Sequence, residues 1–456
     1  MAKNRLSASL GILGVAAVAA VVVHLLAGRT FPHPWPDEID FMTPAAQLAR
    51  HFTLAAPQLG APHGMFWEPE LMYFLWAPVL RFAPLAVESG RWVSLVMVVA
   101  AAGGFFAAGQ RAGAPPIAAA VVVSVWLLSP LTILASTIAS GRAMVLAFVA
   151  WSAAATLDGR RVLALALAVF ASFSHAAGVP FALVLAAPNL FMRVQRPPTR
   201  RWEWTIGALA VAFVAFELVH FGSHFSVALD QLRFQGRVKS HVTQGNRSPY
   251  VILAAAATMA LLGLRRRLAW RALLLGALAV AGLVVLMVGW EEWYEVYALA
   301  AAPLLGSLVV LSNLRAAFTT QHLQRVATAA VVVLFALFAI PPGQPAFAGM
   351  ALGRHPQEWP TFERRVRAEL LRIDAAATRP ITVVFNDQSG LPWPLVGDRV
   401  GAHIRVLKQT LVTEHAGPGA YALVIPGHLP PPPGRVVARV SSPHHELLAV
   451  FVETTR

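Results

Sequence analysis

The chain has 456 residues, of which 57% are hydrophobic and 13% charged, with a formal charge of +14 and no cysteine. So apolar a composition excludes an ordinary water-soluble domain, and the missing thiols exclude disulfides and thiolate metal sites. The positive charge does not indicate nucleic acid, because most of the cations fall in short segments between apolar runs, where they set membrane topology.

A membrane helix needs roughly 20 residues to cross about 30 Å of hydrocarbon. Runs that meet or approach this requirement lie near 8–28, 90–109, 116–135, 141–157, 161–174, 178–192, 204–221, 249–264, 271–289, 296–312 and 325–341. They predict about eleven transmembrane helices, with a break at Ser174 to Gly178 inside a bent pair. Lys3 and Arg5 precede the first run as in a signal sequence, but the run is too long for one, so it reads as an uncleaved anchor. With the N-terminus inside, Arg111, Arg160, Arg161, Arg193 to Arg201, Arg265 to Arg271 and Arg315 to Arg325 face the cytoplasm together with the acids Asp158 and Glu203. Asp37, Glu38, Asp40, Glu68, Glu70, Glu88, Asp230, Glu291 and Glu292 fall outside, as the positive-inside rule favours.

The predicted fold is therefore an α-helical polytopic membrane domain over 1–342, with outside loops at 29–89 and 222–248. A small extracytoplasmic α/β domain follows over 343–456. Within the first loop the aromatic stretch 71–85 reads as an interfacial or re-entrant helix. The tail opens on a Pro/Gly linker, continues as a helix from Glu358 to Asp374, and then shows strand patterns at 381–385, 403–407, 420–425, 435–440 and 447–452. Orientation and anchor place the protein in a bacterial inner membrane as a multi-pass protein.

Chemistry concentrates at the outer interface. The segment WPDEIDF, Trp35 to Phe41, crowds Asp37, Glu38 and Asp40 just after the first span. Close like charges and partial desolvation raise carboxylate pKa values, which suits a general base. The plainer reading is that Asp37, following Pro36, caps a helix over 38–51. Glu68 and Glu70 flank Pro69 ahead of the aromatic stretch, as a second polar cluster or as groups that keep a helix end wet. Arg142 opens the fourth span and His175 closes the fifth. A phosphate there would satisfy the guanidinium and the orphan N–H groups of a helix start; a snorkelling anchor would look the same. Glu217, His220 and His224 share one helix face and could hold a divalent cation or form a hydrogen-bonded polar face. Arg233 and Arg237 lead a basic loop suited to phosphate, lipid head groups or plain solvation. Asp387, Asp398, His444 and His445 show no catalytic spacing, and no P-loop, GxSxG or HExxH occurs.

One span, then Asp37-Glu38 in the first outside loop, then Glu68-Pro69-Glu70-Leu71-Met72-Tyr73, then Arg142 opening a span: this order resembles the polyprenyl-phosphate-sugar-dependent glycosyltransferases of the GT-C class. That class includes the protein O-mannosyltransferases and the lipid A aminoarabinose transferases. The resemblance extends over roughly residues 10–310. Ser174-His175 stands where the family has Thr-Lys, Glu68-Pro69-Glu70 where it has a Lys-Pro-Pro run, and Glu295-Val296-Tyr297 with Pro303 where it has a late Arg-Tyr segment.

The resemblance implies an inverting transferase that moves a sugar from a polyprenyl-phosphate donor to an envelope glycan, lipid or protein. It implies Asp37 and Glu38 as catalytic carboxylates, with Glu68, Glu70 and Asp40 positioning the acceptor or a metal. Arg142, His175, Arg233 and Arg237 would bind the donor phosphate. An envelope polysaccharide polymerase or ligase would also set basic outside loops beside lipid-linked sugars, though it would lead with an Arg-rich loop. A lipid-linked-sugar transporter or flippase would carry charges near the membrane midplane, whereas here they cluster at one interface.

Overall fold

The computed structural model describes residues 2–28, 36–66, 69–83, 87–191, 200–239, 270–288, 292–340, 358–385, 399–408, 421–424, 434–444 and 448–454. Helix α1 (Ala2–Val23) passes into a π-turn, His24–Gly28. Then come α2 (Pro36–His51), a 3-10 turn (Pro57–Leu59), α3 (Leu71–Phe82), α4 (Val87–Ala112), α5 (Pro116–Leu127), α6 (Pro130–Ser136) and α7 (Gly141–Leu157). They are followed by α8 (Arg161–Ser174), α9 (Gly178–Phe191), α10 (Arg201–Ser223), α11 (Phe225–Lys239), α12 (Trp270–Val288), α13 (Glu292–Ala317) and α14 (Gln321–Ala339).

Helix α7 is the axis of the bundle. Its alanines, Ala143, Ala147, Ala150 and Ala154, are all buried, and α4, α8 and α9 pack along it. Small side chains let membrane helices approach closely, which matters where lipid supplies no hydrophobic drive between helices. Among the described residues four helices are long and apolar enough to cross a membrane: α1, α4, α10 and α14. Six further apolar helices are shorter: α3, α7, α8, α9 and segments of α12 and α13. The chain is thus a multi-pass membrane protein by length and composition. The run expected at 249–264 lies outside the described residues.

The run expected as one span at 116–135 is instead bent by 63° between α5 and α6. Ser129 supplies the N-cap, its Oγ accepting from the Thr132 N–H, and Pro130 occupies the first helical position. A capped start with proline at N1 begins a new helix and cannot continue the old one. The break expected at 174–178 is present, with α8 ending at Ser174 and α9 starting at Gly178.

Among the described residues the C-terminal part has one helix, α15 (Glu358–Ala376), and six strands: β1 (Ile381–Phe385), β2 (Arg399–Val400), β3 (Ile404–Lys408), β4 (Tyr421–Val424), β5 (Gly434–Ser441) and β6 (Leu448–Thr454). The expected runs are β1 and β3 to β6; β2 is a short addition. The strand order is β2-β3-β1-β4-β6-β5. Strand β1 runs parallel to β3 and β4, while β2, β5 and β6 pair antiparallel. At the end of α15 the Asp374 carboxylate accepts the N–H groups of Ala402, His403 and Ile404 at 2.9, 2.6 and 2.8 Å, pinning the β2–β3 turn. That turn needs Gly401, whose φ is +74 and whose added Cβ would stand 2.0 Å from Asp374 Oδ2. Burial alone would push the Asp374 pKa up; the three N–H donors and the nearby His403 outweigh it and hold the group below the usual carboxylate range.

This unit does not stand apart. Phe362, Val366 and Leu370 of α15 and Val383, Ile404, Val406 and Phe451 of the sheet lie in one apolar cluster with Phe41, Met42, Met72, Tyr73 and Trp76 of α2 and α3. The 3-10 turn at 57–59 packs against β3. On α15, burial and then the charge of Glu88, near the start of α4, push the Glu363 carboxyl up. The sheet therefore sits over the end of the bundle where α2, α3 and α4 begin.

Candidate functional site

That end of the bundle holds a cluster of buried charged side chains. Pro36 opens α2, so Asp37, Glu38 and Asp40 all fall in its first turns. The Asp37 side chain lies outside the described residues, as does Glu68. Glu38 is fully buried, and Asp40 is 6% exposed. Arg91, in the second turn of α4 and also fully buried, grips Glu38 with both arms of its fork: Nε to Oε1 and Nη2 to Oε2, each 2.9 Å. The Ala139 N–H donates a third bond to Glu38 Oε1 at 2.7 Å. Burying an ion pair costs several kcal/mol of desolvation per ion, which only close bidentate geometry and added hydrogen bonds offset. Glu38 therefore ties α2 to α4 and to the segment leading into α7.

Two residues beyond Ala139, Gly141 starts α7. A Cβ on Gly141 would lie 2.0 Å from the Ser174 carbonyl oxygen and 3.2 Å from Met72 Sδ. Glycine is required there because the start of α7 rests directly on the end of α8, with α3 closing over both. The consequence is local: Arg142 follows Gly141, and His175 follows Ser174. The two residues expected at one depth are brought to neighbouring backbone positions. Both side chains are buried, Arg142 at 9% and His175 at 2% exposure. His175 Nδ1 accepts the Ala177 N–H at 3.1 Å, which fixes the ring at the turn between α8 and α9.

A second polar cluster binds the first loop to α10 and α11. The His220 ring nitrogen Nδ1 lies 2.8 and 3.0 Å from the two oxygens of the buried Glu70 carboxylate. The Glu70 N–H donates to Glu217 Oε1 at 3.1 Å. Gln231 accepts the Phe66 N–H at 2.7 Å and donates to the Gly64 carbonyl at 2.9 Å, and His63 stacks on His224 with ring centroids 5.0 Å apart. Of the two readings of the Glu217–His220–His224 face, the hydrogen-bonded one fits the contacts: Glu217 and His220 engage Glu70, and His224 lies near the His220 carbonyl at 3.1 Å. Among the described residues no three His, Asp or Glu side chains are arranged to hold a metal ion. Arg233 is exposed and pairs with Asp230 at 3.6 Å; the Arg237 side chain lies outside the described residues.

Sequence reasoning did not single out Arg91. The available signal was an arginine inside the first turns of a membrane helix, where the dipole disfavours a cation and a counter-charge is needed. The Glu70–His220 pair spans 150 positions and left no local trace.

These features define a class. The helical bundle with its small C-terminal sheet has a fold similar to that of solved GT-C glycosyltransferases. The solved structures it resembles include ArnT from Cupriavidus metallidurans, bound to undecaprenyl phosphate (16% identity, TM-score 0.57) and in the apo state (15%, 0.56); both matches cover 97% of this chain and 98% of the other. The Archaeoglobus fulgidus oligosaccharyltransferase, solved with Zn and sulfate, is similar at 12% identity and a TM-score of 0.50, over 87% of this chain and 62% of that one. No protein-family model and no curated protein sequence matches the chain, so the likeness is one of fold.

Proposed function

We propose that this protein is a GT-C glycosyltransferase that moves a sugar from a polyprenyl phosphate to an envelope acceptor at the outer face of the bacterial inner membrane. About eleven spans over 1–342 would carry the reaction, and the unit from 343 onward would lie outside the cytoplasm. The observation that supports the reading is the packing of Gly141, next to Arg142, on Ser174, next to His175, two residues after the Ala139 N–H that donates to Glu38. ArnT, with the same fold, binds undecaprenyl phosphate, which supports a lipid-linked donor here.

The chemistry follows from those positions. The acceptor hydroxyl attacks the anomeric carbon opposite the phosphate, and the new C–O bond forms as the bond to the phosphate oxygen breaks. Attack in one step inverts the anomeric centre. The hydroxyl proton passes to Asp37, and the polyprenyl phosphate leaves as an anion held by Arg142, His175 and the N–H groups at the start of α7. Glu38, with its oxygens taken by Arg91 and Ala139, serves as a positioning residue for the α2 turn that carries Asp37. Glu70, held by His220, fixes the loop beside the acceptor path.

Purified protein supplied with a polyprenyl-phosphate sugar should consume it, and Asp37→Asn should cut turnover by about 10²–10⁴-fold with folding intact. Asn keeps the size and can still satisfy a helix start, so wild-type turnover in this variant would remove Asp37 as the base.

A further inference from the structure

The opposite end of the bundle carries a second site. Helix α4 is 26 residues long, so its Arg111 end lies roughly 39 Å from its roofed end. There a groove of about 730 Å³ opens between α1, α4 and α7. Its wall runs along α1 from Leu6 through Leu10 and Gly14 to Ala17, and along α4 past Gly103 to Arg111. Trp151 of α7 closes one side, its Nε1 donating to the Ala100 carbonyl at 2.9 Å. A Cβ added to Gly14 would meet no atom within 4 Å, so the groove is open at that point.

Its dimensions select the occupant. From Leu6 to Ala17 the α1 wall is roughly 16 Å long, close to half of a hydrocarbon core about 30 Å thick. That fits one acyl chain of one leaflet and is too short for a polyprenyl chain. The mouth is polar and basic. Arg111 pairs with Asp158, Arg271 donates Nη1 to the Arg111 carbonyl at 3.1 Å, and the exposed Arg5 stands next to Leu6. Asp158 neutralises one of three guanidinium groups, which leaves the mouth cationic.

We infer that this groove is a binding site for an anionic glycerophospholipid, with one acyl chain between α1 and α4 and its phosphate at Arg5, Arg111 and Arg271. The headgroup lies at the end remote from Arg142 and His175, so the site is separate from the proposed donor pocket and does not depend on that reading.

Native mass spectrometry tests it, with the full chain equilibrated in micelles holding equal palmitoyl-oleoyl phosphatidylglycerol and phosphatidylcholine. The wild type should retain one phosphatidylglycerol in preference to phosphatidylcholine. Gly14→Phe should lose that adduct, while Gly11→Phe, also in open space but outside the groove, should keep it. Arg5→Gln and Arg271→Gln should each lower the preference for phosphatidylglycerol about fivefold. Full retention by Gly14→Phe, or equal retention of the two lipids by the wild type, would overturn the assignment.

Discussion

Replacing Glu38 by Gln keeps the shape of the side chain and withdraws the charge that faces the Arg91 guanidinium. The two 2.9 Å bonds from Arg91 lose their charge assistance, and the 2.7 Å bond from Ala139 weakens with them. Both partners are fully buried, so water does not screen the loss. Removing one member of a buried pair costs about 3–5 kcal/mol, whereas replacing both with apolar groups of similar volume is often neutral. Glu38→Gln and Arg91→Met should therefore each destabilise the detergent-purified protein by about 3–5 kcal/mol. The double variant Glu38→Met, Arg91→Met should be more stable than either single one. Chemical denaturation of the four proteins closes a double-mutant cycle, and contacting groups show coupling of about 0.5–3 kcal/mol or more. Simple addition of the two single losses would refute the clamp.

Gly141→Ala should drive the α7 start off the Ser174 carbonyl, costing about 1–3 kcal/mol as other overpacked sites do, and should raise KM for a lipid-linked donor. Gly11→Ala, in open space, is its neutral control in a thermal melt. The Asp374 pKa is depressed, so its stabilisation is present above the ordinary aspartate value of about 3.9 and is lost as pH falls through the lower folded value. Asp374→Asn should flatten that acid limb in a melt series across pH, and an unchanged limb would reject the assignment. An alkaline phosphatase fused after Arg456 should be active, and activity of a cytoplasm-only reporter there would reverse the proposed orientation.

Much of the architecture was legible because its determinants are local. The short β-branched and apolar runs of β1 and β3 to β6, and the charged, amphipathic α15, announce themselves within a few positions. The α8–α9 break could be read from Ser174 to Gly178 for the same reason. The bend between α5 and α6 was missed although Ser129-Pro130 is a capping signature, because the apolar run around it is continuous. At the site, Arg142 and His175 were expected at one depth, but the close approach of Gly141 to Ser174 beside them could not be read from the sequence. The Glu38–Arg91 pair was not foreseen, since its partners are 53 positions apart and a buried guanidinium in a span can be matched only when the helices are assembled. The Glu217–His220–His224 face was sound as helical geometry, but Glu70 arrives from another segment and takes two of its members.

The apolar cluster that joins α2 and α3 to α15 and the sheet has a bearing on the order in which the molecule can be made. Phe41 and Trp76 emerge from the ribosome more than three hundred residues before Phe451, with which they share a core. At about 5–20 residues per second, the segment that carries α2 and α3 waits on the order of tens of seconds for its cover. Through that interval the Phe41 and Trp76 side chains lack the sheet that completes their core, so a chain stopped ahead of β1 would present a half-built surface beside the charged cluster. Truncation of the tail is thus expected to act as a defect of assembly in the membrane part itself, visible as protease sensitivity of the loop at 52–70.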